Sequence, residues 1–313
     1  MAHKGRIGGA WRRIRQEAGW CILLLADFLI RVLPEKVSFF IVLVFSNCVY
    51  LSMRKRYTVA FRNLRFVFGG EKSEAEIKRM LKSVVNELAK NYWELIALYR
   101  NRARGIRDAV RIEGKENLAG ALEQGKGVIA VSAHLGNFAI VCGRLTAEGY
   151  KYSAVAQQAN DMRVTRYFSD IWRKQGMDII PSSSVGAARS SLKALRENRV
   201  LGLYVDQNRA HDGIFVDFFG RPAATTPGPA LLAARTGAPI VPLFITRQPD
   251  GSHTITIHPP LGMQATGNDR EDILANTRKI TGVVEEQIRK YPAQWWWFHN
   301  RWKTRPEGEK KKT

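Results

Sequence analysis

From residue 105 to residue 306 the sequence alternates short apolar runs with stretches of helical spacing, which confines the chain to an α/β domain with a largely central sheet. Val128 to Val131, Tyr152 to Val155, Val200 to Val205, Ile214 to Phe218 and Ile240 to Ile245 read as strands, with Thr254 to Ile257 as a further one. Helices are predicted between them near 137–148, 160–175, 185–197 and 228–237, and a last one over 270–290. No internal repeat or low-complexity linker interrupts this region, so one core domain is expected.

Upstream of it, Ile77, Leu81, Val84, Val85, Leu88, Tyr92, Leu95 and Ile96 recur at helical spacing between Ser73 and Arg100. Ser73 and Glu76 form a capping box at the start of this long amphipathic helix. Further back, an apolar stretch from Trp20 to Leu51 is broken by Asp27, Arg31 and Pro34-Glu35-Lys36. Lys4, Arg6, Arg12, Arg13 and Arg15 precede it, and Arg54-Lys55-Arg56 closes it. A secretory signal has a short apolar core and a small-residue cleavage site, whereas this apolar material runs on, so the segment is expected to be retained.

Its uncharged part, Val37 to Leu51, is too short as a helix (roughly 22 Å) for a hydrocarbon layer of roughly 30 Å. Two helices hinged near Pro34, with basic residues at both outer ends, fit a re-entrant or interfacial hairpin whose ends face the cytoplasm. A pair of buried core helices is the alternative.

The 49 Lys and Arg against 28 Asp and Glu give a net charge of +21, which attracts nucleic acid, anionic lipid or an acidic carrier protein. Charge does not choose among them; the apolar hairpin argues against nucleic acid. Three cysteines, Cys21, Cys48 and Cys142, suggest neither a disulfide framework nor a zinc site and read as packing residues. The histidines lack metal-ligand spacing, so no metal or other cofactor is expected.

The strand Val128 to Val131 runs into Ser132-Ala133-His134, and Gly136-Asn137 opens the next helix. Open α/β sheets bind ligands at the carboxyl ends of their strands, and a neutral imidazole there can act as a general base. Gly136 is expected to let substrate approach the backbone, and Asn137 with nearby amides to hold an oxyanion or phosphate. Asp206 ends another strand and is followed by Gln207; it either orients His134 or closes an Asx turn.

Arg221 with Thr225 and Thr226, ahead of Pro227, is either a phosphate or carrier contact or a capped turn. Arg163, Arg166 and Arg173 share a helical face that is either solvated or binds phosphate. The run from Trp295 to Lys303, with four tryptophans, suits a membrane interface, single-stranded nucleic acid or core packing.

In their order and spacing, the blocks His134-Leu135-Gly136-Asn137-Phe138, Asp206-Gln207-Asn208, Phe215 to Ala223 with its Thr-Thr, and Trp297 to Pro306 resemble the late acyltransferases of lipid A biosynthesis. This lauroyl/myristoyl acyltransferase family lies within the lysophospholipid acyltransferase superfamily, as do phosphatidylinositol mannoside acyltransferases. The resemblance implies a glycerolipid-acyltransferase-like central mixed sheet flanked by helices, with an N-terminal membrane-associated helical segment. Residues 1–55 would be the anchor hairpin, 56–104 an amphipathic helical linker, 105–306 the acyltransferase core and 307–313 a disordered tail.

It also implies a bacterial inner-membrane enzyme, facing the cytoplasm, that moves a fatty acyl chain from acyl carrier protein or coenzyme A to a hydroxyl of an anionic lipid, a lipid A precursor or related glycolipid. His134 would be the base and Asp206 its partner. Gly136, Asn137, Arg163, Arg166, Gln207, Arg221, Thr225 and Thr226 would contact substrate. The family's box places Asp or Glu after His and four residues, where this chain has Ala139. Asp206 supplies the carboxylate instead, or the chain is a catalytically impaired, lipid-binding relative, or position 139 carries an introduced exchange.

Overall fold

The computed structural model describes residues 2–99, 110–174, 176–182 and 186–308. The expected tail from residue 309, the end of the linker at 100–104 and the side chains of Lys4, Arg6 and Arg12 lie outside the described residues.

The chain opens with two helices, α1 (Ala2–Val32) and α2 (Glu35–Ser52), which meet at the expected hinge. Pro34 has no amide to continue α1, while its carbonyl accepts the amides of Val37 and Ser38 and so starts α2. α3 (Arg54–Phe68) follows, then α4 (Glu74–Tyr99). The capping box forms at α4: Ser73 N donates to Glu76 Oε2 at 2.9 Å, and Ser73 Oγ accepts from Glu76 N. All the predicted apolar positions of α4 are buried except Tyr92, which is exposed.

The hairpin rests on α4 through Ile30, Val42, Trp93, Ile96 and Ala97, and Trp93 Nε1 donates to Ser38 Oγ at 3.1 Å. Its other face is open. Phe28 is 56% exposed and Phe40 65%, and Leu25, Val32, Val37 and Val44 are exposed with them, so the two helices are not a fully buried core pair. Among the described residues no helix is long and apolar enough to cross a membrane.

The core begins with β1 (Val110–Glu113), α5 (Lys115–Leu122), β2 (Val128–Ser132), α6 (Val141–Ala147), β3 (Tyr152–Ala156), α7 (Met162–Lys174) and β4 (Asp178–Pro181). It continues with α8 (Ala187–Arg196), β5 (Val200–Tyr204), β6 (Ile214–Asp217), β7 (Pro222–Thr225), α9 (Gly228–Thr236), β8 (Ile240–Arg247), β9 (His253–Ile257) and α10 (Asp269–Lys290).

Seven strands form one mixed sheet in the order β1-β9-β8-β2-β5-β3-β4. The five from β8 to β4 run parallel; β9 is antiparallel to β8, and β1 follows β9. Each of the short strands β1 and β4 has only four residues, too few for a clear apolar run, and neither is evident in the sequence. The run at 214–218 is corrected: it leaves the central sheet and pairs with β7 as a separate hairpin. The turn between them holds Phe219 and Gly220, both with positive φ, and doubles the chain back on itself.

Burial on both faces explains the near-continuous apolar strands, since a parallel sheet is covered by helices on each side. Successive residues alternate between the two faces. Ile129, Val131, Leu201, Ile240 and Phe244 pack with α3, α4, α9 and α10, whereas Val128, Ala130, Val200, Val241 and Ile245 pack with α5, α6 and α7.

Candidate active site

β2 and β5 are parallel neighbours in register, with Ser132 opposite Tyr204. Two residues beyond that pair, each strand end delivers one candidate side chain, His134 from β2 and Asp206 from β5. His134 Nδ1 lies 2.8 Å from Asp206 Oδ1, and the His134 amide donates to Asp206 Oδ2 at 3.0 Å. Trp295 Nε1 donates to the same Oδ2 at 2.7 Å. Asp206 is 2% exposed, while the imidazole keeps 22% of its surface open.

Burial by itself raises the Asp206 carboxyl pKa. The charge of protonated His134 and three donors, the His134 ring, the indole and the His134 amide, outweigh it and bring the pKa down to about 2. Asp206 is therefore an ionised carboxylate against a partly open imidazole. A ring held in this way presents Nε2 for proton transfer, the arrangement that activates a hydroxyl in a hydrolase triad. Phe138 and Tyr204 flank the imidazole at ring-centre distances of 4.9 and 5.1 Å. Gln207 Nε2 lies 3.4 and 3.5 Å from the two ring nitrogens, so Gln207 belongs to the site.

The loop after His134 is gripped from α4. Asn91 Nδ2 donates to the Gly136 carbonyl at 2.8 Å, and Asn137 Nδ2 donates to Glu94 Oε2 at 2.7 Å. Arg247, at the end of β8, bonds Glu87, Glu94 and Asn91. Burial raises the Glu94 carboxyl pKa, and bonds from His253 and Arg247 more than reverse this, to about 2. This cluster keeps its charges inside because they are paired, and removing one partner would leave the others uncompensated.

That grip corrects two assignments. Asn137 is 1% exposed and its amide is committed to Glu94, so its side chain does not face an oxyanion. Gly136 does not make room for substrate: it has φ +57°, and a Cβ there would come 2.2 Å from the Ile245 carbonyl oxygen, so glycine is required by the close passage of β8. The amides of His134, Leu135 and Gly136 already donate to Asp206, Ala133 and Gln294.

The remaining predicted contacts separate. Thr225 is 1% exposed and accepts from Arg301 Nη2 while donating to the Ala223 carbonyl, so it is closed to substrate. Thr226 Oγ1 accepts from Gly228 N at 3.2 Å, which makes it the capped turn. The Arg221 guanidinium lies over the Phe66 ring at 5.2 Å, at the tip of the β6–β7 hairpin. Arg163 is claimed by Glu17 of α1 at 2.8 and 2.9 Å and by Asp161 at 2.8 Å, so it ties the hairpin to α7 instead of standing ready for phosphate. Arg166 and Arg173 are exposed and line a cavity of about 250 Å³ between α7 and the ends of β3 and β4.

Of the three readings open to the tryptophan run, the structure selects core packing for most of it. Trp295, Trp297 and Trp302 are buried at 1%, 0% and 5%, so core packing accounts for these three. Ala139 packs against the apolar cluster under α6, and Asp206 stands where the imidazole needs a carboxylate. Among the described residues no three His, Cys, Asp or Glu side chains gather to hold a metal ion.

The profile of the bacterial lipid A biosynthesis acyltransferase family matches residues 11–304. The phosphatidylinositol mannoside acyltransferase of Mycolicibacterium smegmatis is 25% identical over 312 residues, 96% of this chain and 95% of that protein. Its Mycobacterium tuberculosis counterpart is 27% identical over 195 residues, 61% of this chain and 59% of that protein, so this alignment spans under two thirds of the relative's length. The lipid A biosynthesis lauroyltransferase of Escherichia coli K12 is 26% identical over 259 residues, 82% of each chain. With nearly its whole length matched by one profile, the chain belongs to the bacterial lipid A biosynthesis acyltransferase family.

Proposed function

We propose that this protein transfers a fatty acyl chain from a thioester, carried by acyl carrier protein or coenzyme A, to a hydroxyl of a lipid A precursor or related glycolipid. The observation that carries the reading is the 2.8 Å contact between His134 Nδ1 and the buried Asp206 carboxylate at adjacent strand ends. His134 Nε2 takes the proton of the acceptor hydroxyl as its oxygen attacks the thioester carbonyl. The tetrahedral intermediate collapses, the C–S bond breaks, and the imidazolium returns the proton to the thiolate. Asp206 holds the ring and balances its positive charge in between. Arg166 contacts phosphate on the acceptor or donor.

The names of the relatives support both acceptor types, a lipid A intermediate and a phosphatidylinositol mannoside. The test incubates the purified chain with acyl carrier protein or coenzyme A thioesters and either a tetra-acylated lipid A precursor or a phosphatidylinositol mannoside. Mass spectrometry should find one added acyl ester on one acceptor. No product from any of the four pairings would refute the proposal.

Access to such lipids comes from the hairpin, which lies on the cytoplasmic face of the inner membrane. Its exposed Leu25, Phe28, Val32, Val37, Phe40 and Val44, beside exposed Arg13, Arg15 and Lys36, match an anionic lipid surface. The protein is expected to float with vesicles containing phosphatidylglycerol, and Phe28→Asp with Phe40→Asp to stay in solution. Equal flotation of both proteins would show that another surface binds.

A further inference from the structure

We propose that Trp295 is a positioning residue for the His134–Asp206 pair: its indole N–H fixes the carboxylate so that one oxygen faces the imidazole while the other is held from behind. This rests on the reading of His134 as the base.

The Asp206 carboxylate divides its contacts unequally. Oδ1 meets His134 Nδ1 at 2.8 Å, while Oδ2 accepts from the His134 amide at 3.0 Å and from Trp295 Nε1 at 2.7 Å. The terminal torsion of an aspartate is broad, so contacts to His134 alone leave the carboxylate room to turn. A third donor, from a different part of the chain, removes that freedom. Indole suits the task because it donates and does not accept, so it cannot compete with the carboxylate for the imidazole proton.

Trp295 is itself held. It is 1% exposed, and Phe218 and Trp297 pack edge-on against it with ring centres 5.9 and 4.6 Å away. Trp297 is anchored in turn, donating from Nε1 to the Pro292 carbonyl at 2.7 Å. The same segment grips the main chain of the His134 loop. Trp296 N donates to the His134 carbonyl at 3.1 Å, and the Gln294 carbonyl accepts from Gly136 N at 3.0 Å. Leu135 and Trp295 are paired as an antiparallel bridge. One C-terminal segment thus holds the base through its backbone and the carboxylate through a side chain.

Two substitutions separate positioning from packing. Trp295→Phe keeps most of the apolar volume and loses the donor. Trp295→His loses the benzene ring but can keep an N–H at the matching corner of its five-membered ring. If the donor matters, Trp295→Phe lowers kcat about tenfold with KM within about twofold, the scale of one hydrogen bond to a charged group. Trp295→His then melts at the lower temperature of the two yet turns over faster. If Trp295 only fills space, activity follows stability and Trp295→Phe is the faster, which overturns the proposal.

Should Trp295→His fail to fold, Trp295→Phe is added to Asp206→Asn. No further loss supports positioning, and a second full drop in kcat overturns it. Failure of the base assignment would look different, since His134→Ala would then match wild type whatever Trp295 does.

Discussion

His134→Ala is expected to cut acyl transfer by at least about a hundredfold while the protein still folds, since removal of a general base of this kind costs about 10² to 10⁴ or more. The substitution removes the side chain proposed to receive the acceptor proton, and among the described residues no neighbour of His134 can replace it: Gln207 is an amide, and His299 is half-buried and bonded to Asn208. His299 accepts the Asn208 amide at 2.9 Å, and burial brings its pKa down to about 4, so it stays neutral and committed. The imidazole is partly open to solvent, and the loop is held by main-chain bonds from Trp296 and Gln294 and by the Asn91 side-chain amide, all of which survive the change. Thermal unfolding should therefore stay cooperative, at a lowered temperature because the buried Asp206 carboxylate loses its imidazole partner. Wild-type rates from a folded His134→Ala protein would end the assignment of the base.

Asp206→Asn carries the second large effect, a fall in kcat of about 10³ to 10⁴, the scale seen when the carboxylate of a triad becomes an amide. With the amide nitrogen toward the ring, His134 Nδ1 meets a donor, and the tautomer that leaves Nε2 able to accept a proton is lost. With the amide oxygen toward the ring, the nitrogen faces two donors, Trp295 Nε1 and the His134 amide. No orientation satisfies all three contacts. Asp206→Ala removes the acceptor outright and strands both donors in the interior, at about 1–3 kcal/mol each.

Stability should follow pH in a matching way. The folded pKa of Asp206 lies below the ordinary carboxylate value, so its ionised form stabilises the native state above about pH 4. That contribution disappears as pH falls toward about 2. Thermal melts of wild type and Asp206→Asn should thus differ most near neutral pH and converge on acidification. A gap that widens in acid would mean that Asp206 is not held ionised.

Much of this site was legible before the tertiary structure. A strand ending in His134 before Gly136-Asn137, and another ending in Asp206, both follow from local apolar runs bounded by polar residues. The Pro34 hinge and the Ser73–Glu76 cap are also local, each decided within one or two helical turns. The functions of Gly136, Asn137, Arg163 and Thr225 were not legible. Glycine, amide, guanidinium and hydroxyl are the groups that bind substrates, and they are equally the groups that hold a fold together. Only their partners tell which: the Ile245 carbonyl, Glu94, Glu17 and Arg301.

The sequence by itself determined the alternation of elements, the apolar faces of the helices and the two strand ends that carry His134 and Asp206, because hydrophobic periodicity is set by neighbours along the chain. The tertiary structure alone decided that His134 meets Asp206, 72 residues away, and that Trp295 closes the same carboxylate from 89 residues away. Such contacts depend on strand order and register, which place β5 beside β2 ahead of β3, and on hydrogen bonds whose direction no spacing along the chain encodes. The tryptophans show the difference most plainly. Their composition suits a membrane interface, yet the packed core took three of them and turned one toward the carboxylate beside His134.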